Sequence, residues 1–360
     1  MSDLLTELTA ACTGLLSELI AVPSFSGEEQ AAAAVLTDFL SSRGLACQHI
    51  GNNVIVRQDD FHPDRPTLLL NSHLDTVRPQ SGWRHDPFTP TLEDGRLYGL
   101  GSNDAGGPLV SLLAVFLYYN EKKNLPWNVI FAATAEEEIS GENGITAVLA
   151  ELGQIDLAIV GEPTGMRLAI AERGLMVLDC VAHGRSGHAA RDEGDNAITH
   201  ALRDIEWFHN YSFARVSPFL GPVKMTVTMI EAGTQHNVVP ERCRFVVDVR
   251  TTEAYSHEQV LETIRRHVRS EVKPRSVRLR PSGLEESHPF VQAAKKLGIP
   301  LFGSATLSDQ ALLPMPSVKI GPGDSARSHT ADEYIELEEI REGVRLYCAL
   351  LDTFFAADDA

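Results

Sequence analysis

Near-continuous apolar runs that alternate with helical stretches constrain the fold of this chain most strongly. The runs are LLL at 68–70, NVIFAAT at 128–134 and LAIV at 157–160, and the helical stretches between them include 107–119 and 144–152. Strands that are apolar on both faces and alternate with helices are typical of a mostly parallel sheet with helices on both sides. We therefore predict an α/β fold built on such a sheet.

The pattern changes near residue 175. Three later segments are longer and alternate between apolar and polar residues, as half-exposed antiparallel strands do; they are LMVLDCVAHG, KMTVTMIEAG and CRFVVDVRTT. Helical stretches near 196–209 and 256–269 are interleaved with them, which predicts a β-α-β-β-α-β order. We predict an inserted α+β, ferredoxin-like domain at 175–283.

The larger domain is then made of residues 1–174 and 284–360. At its start, apolar residues at helical spacing predict an amphipathic helix over 3–21. Ser26, with Glu29 three residues later, predicts a capping box that opens a second helix. A hairpin is expected around the turn Gly51-Asn52-Asn53, and a last helix over 337–355.

Composition excludes several classes of protein. A chain of 360 residues is long enough for two domains, and its formal charge of −18 argues against nucleic acid as a partner. No apolar run approaches the roughly 20 residues of a membrane helix. The acidic N-terminal segment is unlike a signal peptide, and five scattered cysteines without a CxxC motif fit a reducing compartment. We expect a cytoplasmic protein with no membrane or nucleic-acid partner.

Five side chains that can bind metals each lie just past a strand-like run or in a turn; they are His73, Asp104, Glu138, Glu162 and His329. An open α/β sheet carries its chemistry in the loops at the carboxyl ends of its strands, so these residues can meet in one crevice. Histidine and carboxylate ligands without a thiolate suit a catalytic zinc site, and a shared carboxylate suits a pair of metals. The sequence predicts a two-metal hydrolase.

Each residue also has a simpler explanation. Taken by itself, His73 could be a hydrogen-bonded histidine near the end of a strand, and Asp104 could form a turn or the N-cap of the following helix. His329 fits an ordinary histidine of a surface loop. For Asp104 we favour a carboxylate that bridges two cations, and for Asp75 a role in holding the second ring nitrogen of His73.

The run Glu136-Glu137-Glu138 allows two interpretations. Three acids fit the first turn of a helix, where the helix dipole favours negative charge. Alternatively, one carboxylate binds a metal and its neighbour acts as general base toward water, since adjacent carboxylates repel one another unless cations or protons intervene. His188 lies in the inserted domain. It fits a surface histidine, or one that dimerisation or hinge closure brings over the site to stabilise an oxyanion.

Taken together, the motifs resemble the M20 family of dinuclear zinc amidohydrolases, and most of all its acetylornithine deacetylase branch. The resemblance covers essentially the whole chain. The matching motifs, in chain order, are SHLDTV, GxxDAGG, TAEEE, GEPT, HGRSGHAA, QHNVVPE and SHTADEY. The family usually reads Asp-Glu-Glu where this chain has three glutamates.

The resemblance implies roles for individual residues. His73 and Glu162 would bind one zinc, Glu138 and His329 the other, and Asp104 both. Glu137 would be the general base and Asp75 the partner of His73, with a cis peptide bond after Asp104.

In the inserted domain, the resemblance makes His188 the histidine of a dimerisation domain that enters the partner's active site. It makes Asn237 and Arg250 ligands of the substrate carboxylate. The cofactor would be two Zn²⁺ per chain, with Co²⁺ or Mn²⁺ as possible substitutes, and the chain would form a homodimer.

The resemblance also implies an activity. The expected reaction is hydrolysis of the amide bond of a small N-acyl amino acid. The first choice is N-acetylornithine, or N-acetylcitrulline or N-succinylornithine, in arginine biosynthesis. The alternatives are a succinyl-diaminopimelate desuccinylase, a dipeptidase or carboxypeptidase of the same family and, more remotely, a binding protein without catalysis. Lys319 and Arg327 could favour an anionic acyl group, or be solvated loop cations.

Overall fold

The computed structural model describes residues 2–191 and 193–358. Eight helices are found among these residues: α1 Asp3–Ile20, α2 Gln30–Ser41, α3 Gly107–Asn120, α4 Ile145–Leu152, α5 Ala197–Asn210, α6 His257–His267, α7 Pro289–Lys296 and α8 Leu337–Asp358. None of the helices described has the length and apolar character needed to cross a membrane.

Eighteen strands run through the same residues: β1 Gln48–Ile50, β2 Asn53–Arg57, β3 Thr67–His73, β4 Thr91–Glu93, β5 Arg96–Tyr98, β6 Asn128–Thr134, β7 Leu157–Val160, β8 Leu168–Glu172, β9 Gly174–His183, β10 Gly187–His188, β11 Lys224–Ala232, β12 Val238–Val239, β13 Arg242–Thr251, β14 Glu271–Pro274, β15 Ser282–Gly283, β16 Leu301–Ser304, β17 Ser317–Lys319 and β18 Tyr334–Glu336.

The chain divides into two compact units. The first contains the described residues up to Ile170, together with Leu284–Phe302 and the chain from Ser308 onward. The second contains Ala171–Gly283 and Gly303–Leu307. The second unit is therefore inserted into the sequence of the first.

The first unit is built on a mostly parallel sheet. Its strand order is β1-β2-β6-β3-β7-β17-β8, with β6, β3, β7 and β17 parallel to one another and antiparallel pairing toward both edges. Every residue of β3, β6 and β7 is buried. This is why each of these strands contains a continuous apolar run instead of an alternating pattern.

Helices cover both faces of this sheet. On one face α4 packs through Ile145, Val148 and Leu152 against a cluster that includes Leu69 and Ile130. On the other face lies α3, whose Phe116 ring centroid is 6.1 Å from that of Phe131. Neighbouring residues of a strand point to opposite faces, so Ile130 packs on the side of α4 and Phe131 on the side of α3. The predicted α/β class is confirmed.

The second unit is an α+β domain. Its antiparallel sheet has the order β11-β13-β9-β14, and α5 and α6 pack on one face of it around a core that includes Phe208, Phe245 and Ile264. The chain order is β9-α5-β11-β13-α6-β14, which is the predicted β-α-β-β-α-β arrangement. Burial alternates along β9, as expected of a sheet with one open face.

One local prediction was wrong. Ser26 and Glu29 do not form a capping box at the start of α2, because Glu29 makes no side-chain cap there. The Ser26 hydroxyl instead donates to Asp75 Oδ2 at 2.7 Å, and Glu29 is fully buried, with its carboxylate accepting from Gly27 N and from Asn52 Nδ2. Each residue thus has a partner far along the chain, Asp75 for Ser26 and Asn52 for Glu29.

Helix α3 lies between the sheet and other helices, and nearly all of its residues are buried. Leu113 is 0% exposed, whereas Leu92 in β4 is 58% exposed. Leu113→Ala is expected to lower the free energy of unfolding by about 2–5 kcal/mol, because it removes buried methyl groups and leaves a cavity. Leu92→Ala should change it by no more than about 0.5 kcal/mol. Urea denaturation followed by circular dichroism measures both, and equal effects would contradict this packing.

Candidate metal centre

The site begins at His73, the last residue of β3 in the middle of the parallel sheet. The ring is 2% exposed. Its Nδ1 lies 2.8 Å from the backbone oxygen of Asp75, and its Nε2 lies 3.3 Å from Asp104 Oδ1. The contact at Nδ1 fixes the ring, so Nε2 is directed at the carboxylates beyond the carboxyl end of the sheet.

Asp104 lies in an irregular turn, Ser102–Gly106, that leads into α3. The peptide bond after it is cis, as the resemblance implies. Its Oδ1 faces His73, and its Oδ2 is 3.7 Å from His329 Nε2, so one carboxylate faces two histidines. The N-cap of α3 is Gly106, without a side-chain cap, and the explanation of Asp104 as a helix cap is therefore wrong.

The three glutamates form a turn after β6. Helix α4 begins only at Ile145, so they do not make up the first turn of a helix. Three consecutive backbone N–H groups of this turn are accepted by two carboxylates: Glu136 N by Glu29 at 3.1 Å, and Glu137 N and Glu138 N by Asp75 at 3.0 and 3.1 Å. The backbone of the turn is thus fixed from outside.

The three side chains of this turn have different surroundings. The Glu136 carboxylate accepts from the backbone N and Nδ2 of Asn143. Glu137 Oε2 is 3.9 Å from His73 Nε2, and both oxygens of Glu138 are 3.0 Å from His329 Nε2. Glu137 and Glu138 therefore enter the cluster, and Glu136 is held by Asn143 within its own loop.

Glu162 and His329 complete the cluster. Glu162 comes two residues after β7, and its Oε1 is 3.8 Å from His73 Nε2. His329 lies in the loop before β18 with φ 58°, and its side chain is about half exposed, at 51%. All five residues expected to bind metal, together with Glu137, are thus brought to one place at the carboxyl end of the sheet.

Burial and mutual charge change the acid–base properties of these groups. Burial raises the pKa of Glu137 well above its ordinary value; the charge of His73 opposes this, and the carboxylates of Glu162, Asp309 and Glu138 add to it. The hydrogen bond to Glu138 raises the pKa of His329 to about 9. Burial lowers the pKa of His73, but hydrogen bonds to Asp104 and Asp75 outweigh it and raise that pKa well above the ordinary value.

The donor set fits two divalent cations. Ligand atoms of His73, Asp104 and Glu138 lie within 4.8 Å of one another, and so do those of His73, Glu137 and Glu162. Imidazole nitrogens and carboxylate oxygens without sulfur are a ligand set for zinc and similar ions. Close, buried carboxylates need positive charge between them, and two cations would supply it.

Asp75 contacts the second ring nitrogen of His73 through two groups. The Asp75 carboxylate is 3.5 Å from His73 Nδ1, and the closer acceptor, at 2.8 Å, is the backbone oxygen of Asp75. The carboxylate's shorter contacts are the Ser26 hydroxyl and the amides of Glu137 and Glu138. Asp75 thus contacts His73 through both its backbone oxygen and its carboxylate, and the same carboxylate also holds the glutamate turn.

Sequence reasoning missed three buried acids around the site: Glu29, Asp309 and Glu333. Asp309 accepts from Thr134 Oγ1 at 2.6 Å, and burial raises its pKa to about 6. Glu333 lies within the quoted motif SHTADEY, but its contacts are to backbone groups 229 or more residues away. No spacing rule reports such a contact, because it depends on the tertiary fold.

The remaining predicted residues lie in the second unit. His188 in β10 pairs in register with Val238 of β12, and Ala189 N donates to the backbone oxygen of Asn237, so His188 and Asn237 are neighbours on a two-stranded ribbon. Arg250 is in β13 of the four-stranded sheet. Its guanidinium forms two hydrogen bonds with Asp248, at 2.8 and 3.1 Å.

Comparison with known proteins decides the family. The model of peptidase family M20/M25/M40 matches residues 69–353. The chain belongs to this family. Family members are metal-dependent amidohydrolases and peptidases, so the predictions of family and of an amidohydrolase-type enzyme are confirmed.

Curated relatives of this M20 chain include succinyl-diaminopimelate desuccinylases. That of Paracoccus denitrificans is 26% identical over 378 residues, covering 95% of this chain and 98% of the relative. A second desuccinylase, from Ruegeria, is 28% identical and covers 71% of this chain and 69% of the relative.

Solved structures share the fold of this M20 chain. Aminopeptidase PepT of Bacillus cereus has a TM-score of 0.75 at 21% identity, covering 96% of this chain and 98% of that one. A dinuclear metal binding peptidase of the same family from Bacillus subtilis has a TM-score of 0.74 at 17% identity, covering 98% and 99%.

Asp75→Asn is expected to loosen the glutamate turn. An amide has one accepting oxygen, so its NH₂ group would face an N–H donor of Glu137 or Glu138 in a fully buried place. We expect a loss of about 1–3 kcal/mol in the free energy of unfolding, measured by urea denaturation. Asp64→Asn, in an exposed loop, is the control and should change it by less than about 0.5 kcal/mol. Equal stability of the two variants would contradict the contacts described.

Proposed function

We propose that this protein hydrolyses the amide bond of an N-succinyl diamino acid such as N-succinyl-diaminopimelate, using two divalent cations. Desuccinylases among the relatives support this substrate over N-acetylornithine, which was the first choice from the sequence. The expected place in arginine biosynthesis has no support in these names. The five cysteines are all free thiols in the structure, which supports a location in the reducing cytoplasm.

One observation carries the proposal: the two oxygens of Asp104 face two different histidines, and a buried glutamate lies beside them. On this basis His73, Glu162 and Asp104 would hold one cation, and Glu138, His329 and Asp104 the other. We favour zinc, with cobalt or manganese as substitutes. Bound there, the cations would polarise the amide carbonyl and lower the pKa of water.

Glu137 is the residue that we assign to proton transfer. It belongs to the cluster, with its Oε2 3.9 Å from His73 Nε2. With the cations bound, a carboxylate in this place would take a proton from the attacking water and pass it to the leaving nitrogen. The placement of Glu136 against Asn143 supports Glu137 as the base and Glu138 as the ligand.

The roles of the second unit remain proposals. We propose that it mediates a homodimer, that His188 stabilises an oxyanion, and that Asn237 and Arg250 bind the substrate carboxylate. Since Asp248 holds the guanidinium of Arg250, binding of a substrate carboxylate by Arg250 requires exchange or sharing of that partner.

Two cations considered for the acyl group are not solvated loop residues. Lys319 is 2% exposed in β17. Arg327 forms two hydrogen bonds with Glu339 and lies over the ring of Tyr334. Neither offers a free surface charge, so the preference for a succinyl group relies on the relatives.

A substrate panel tests the proposed activity. N-succinyl-diaminopimelate, N-succinylornithine, N-acetylornithine, N-acetylcitrulline and dipeptides are each assayed with metal-depleted protein and after addition of Zn²⁺ or Co²⁺. We expect turnover only with added metal, and the highest kcat/KM for a succinylated diamino acid. Higher kcat/KM for N-acetylornithine or for a dipeptide would contradict the substrate, and turnover independent of metal would contradict the mechanism.

Glu137→Gln tests the general base. The amide cannot accept a proton from water, so kcat on the best substrate should fall by about 10²–10⁴-fold, while the metal content measured by mass spectrometry stays at two per chain. Glu142→Gln removes a charge at an exposed position of the same loop and should keep wild-type activity. Wild-type turnover in Glu137→Gln would refute the assignment.

A further inference from the structure

Glu333 is a buried acid that touches the candidate site only through the backbone. It is 2% exposed and directly precedes β18. Its Oε1 accepts from Asn103 N and from Asp104 N, both at 2.9 Å, and its Oε2 accepts from Gly101 N at 3.0 Å. Three N–H groups of one short segment therefore converge on a single carboxylate.

That segment cannot satisfy these N–H groups by itself. Gly101 has φ 74°, in the left-handed region, and Asp104 has φ −118° and ψ 96°, so regular helical hydrogen bonding does not extend through it. A buried backbone N–H without an acceptor costs about 1–3 kcal/mol. Glu333 supplies the acceptor for all three N–H groups. Two of these groups belong to Asn103 and Asp104, whose backbone sets the direction of the Asp104 side chain.

The same segment is also tied to the loop that carries His329. Asn103 Nδ2 donates to the backbone oxygen of Asp324 at 3.1 Å, and Asn103 Oδ1 accepts from Asp324 N at 3.0 Å. Glu333 follows His329 by four residues in that loop. The contact from Glu333 to Asn103 and Asp104 therefore joins the segment that carries Asp104 to the loop that carries His329.

We propose that Glu333 is a positioning residue of the metal centre, which fixes the Asp104 carboxylate where both histidines reach it. The proposal rests on the proposed function, since it needs Asp104 to bind metal. Residues that orient metal ligands change metal affinity or activity by about 10–100-fold when they are replaced. Glu333 does this through peptide groups and not through the ligand side chain.

Glu333→Gln separates this role from a purely structural one. Glutamine keeps the size, but its single oxygen cannot replace both carboxylate oxygens, and its NH₂ group would face a backbone N–H. Zn²⁺ is titrated into the metal-depleted protein by calorimetry, and kcat and KM are then measured on the best substrate of the panel. We expect about 10–100-fold weaker binding of at least one Zn²⁺, and a lower kcat with KM changed by less than threefold.

Glu338→Gln is the matched control. It removes a charge from an exposed position of α8, where Glu338 pairs with Arg341, and it should bind two Zn²⁺ like the wild type. If Glu333→Gln does not fold, Glu333→Asp carries the test, because it keeps the charge but shortens the reach by one methylene. A variant with a lower Tm but wild-type Zn²⁺ affinity and kcat would overturn the proposal. Wild-type protein that binds no Zn²⁺ would instead refute the proposed function itself.

Discussion

The electrostatic problem at the carboxyl end of the parallel sheet governs the whole arrangement. Asp104, Glu137, Glu138 and Glu162 gather around two histidines, and their side chains are all largely buried. Carboxylates held this close repel one another, and taking each from water has its own cost. The same negative charge raises the pKa values of His73 and His329. Two divalent cations would offset the repulsion between the carboxylates.

To keep these carboxylates close together, the fold must fix the backbone segments from which their side chains extend. The glutamate turn is fixed by Glu29 and Asp75, which accept the amides of three consecutive residues. The segment of Asp104 is fixed in the same way by Glu333. Buried acids with backbone donors as partners thus surround the acids of the site. Rigid ligand loops of this kind reduce the reorganisation that is needed when cations and substrate bind.

Much of this was predictable from the sequence, for physical reasons. The buried strands β3, β6 and β7 each contain a continuous apolar run, whereas the strands of the inserted unit alternate between apolar and polar residues. The pattern of apolar residues therefore distinguishes strands buried on both faces from strands with one open face. Side chains after strands of one parallel sheet meet at one edge, which is why His73, Glu138 and Glu162 could be placed together. Asp104 reaches the same place from a different element, since it follows β5 of a separate antiparallel sheet. The sequence could not show that Ser26 bonds to Asp75 and does not cap α2, because the local sequence around Ser26 fits both roles. The roles of Glu29 and Glu333 were missed for a related reason, since most of their partners are peptide groups, which leave no trace in residue types.

Anomalous X-ray diffraction at the zinc edge, on crystals of the protein grown with Zn²⁺, tests the central claim most directly. We expect two peaks about 3.5–4 Å apart, one on each side of the Asp104 carboxylate, with His73 next to one and His329 next to the other. A single peak, or two peaks that do not share Asp104, would contradict it.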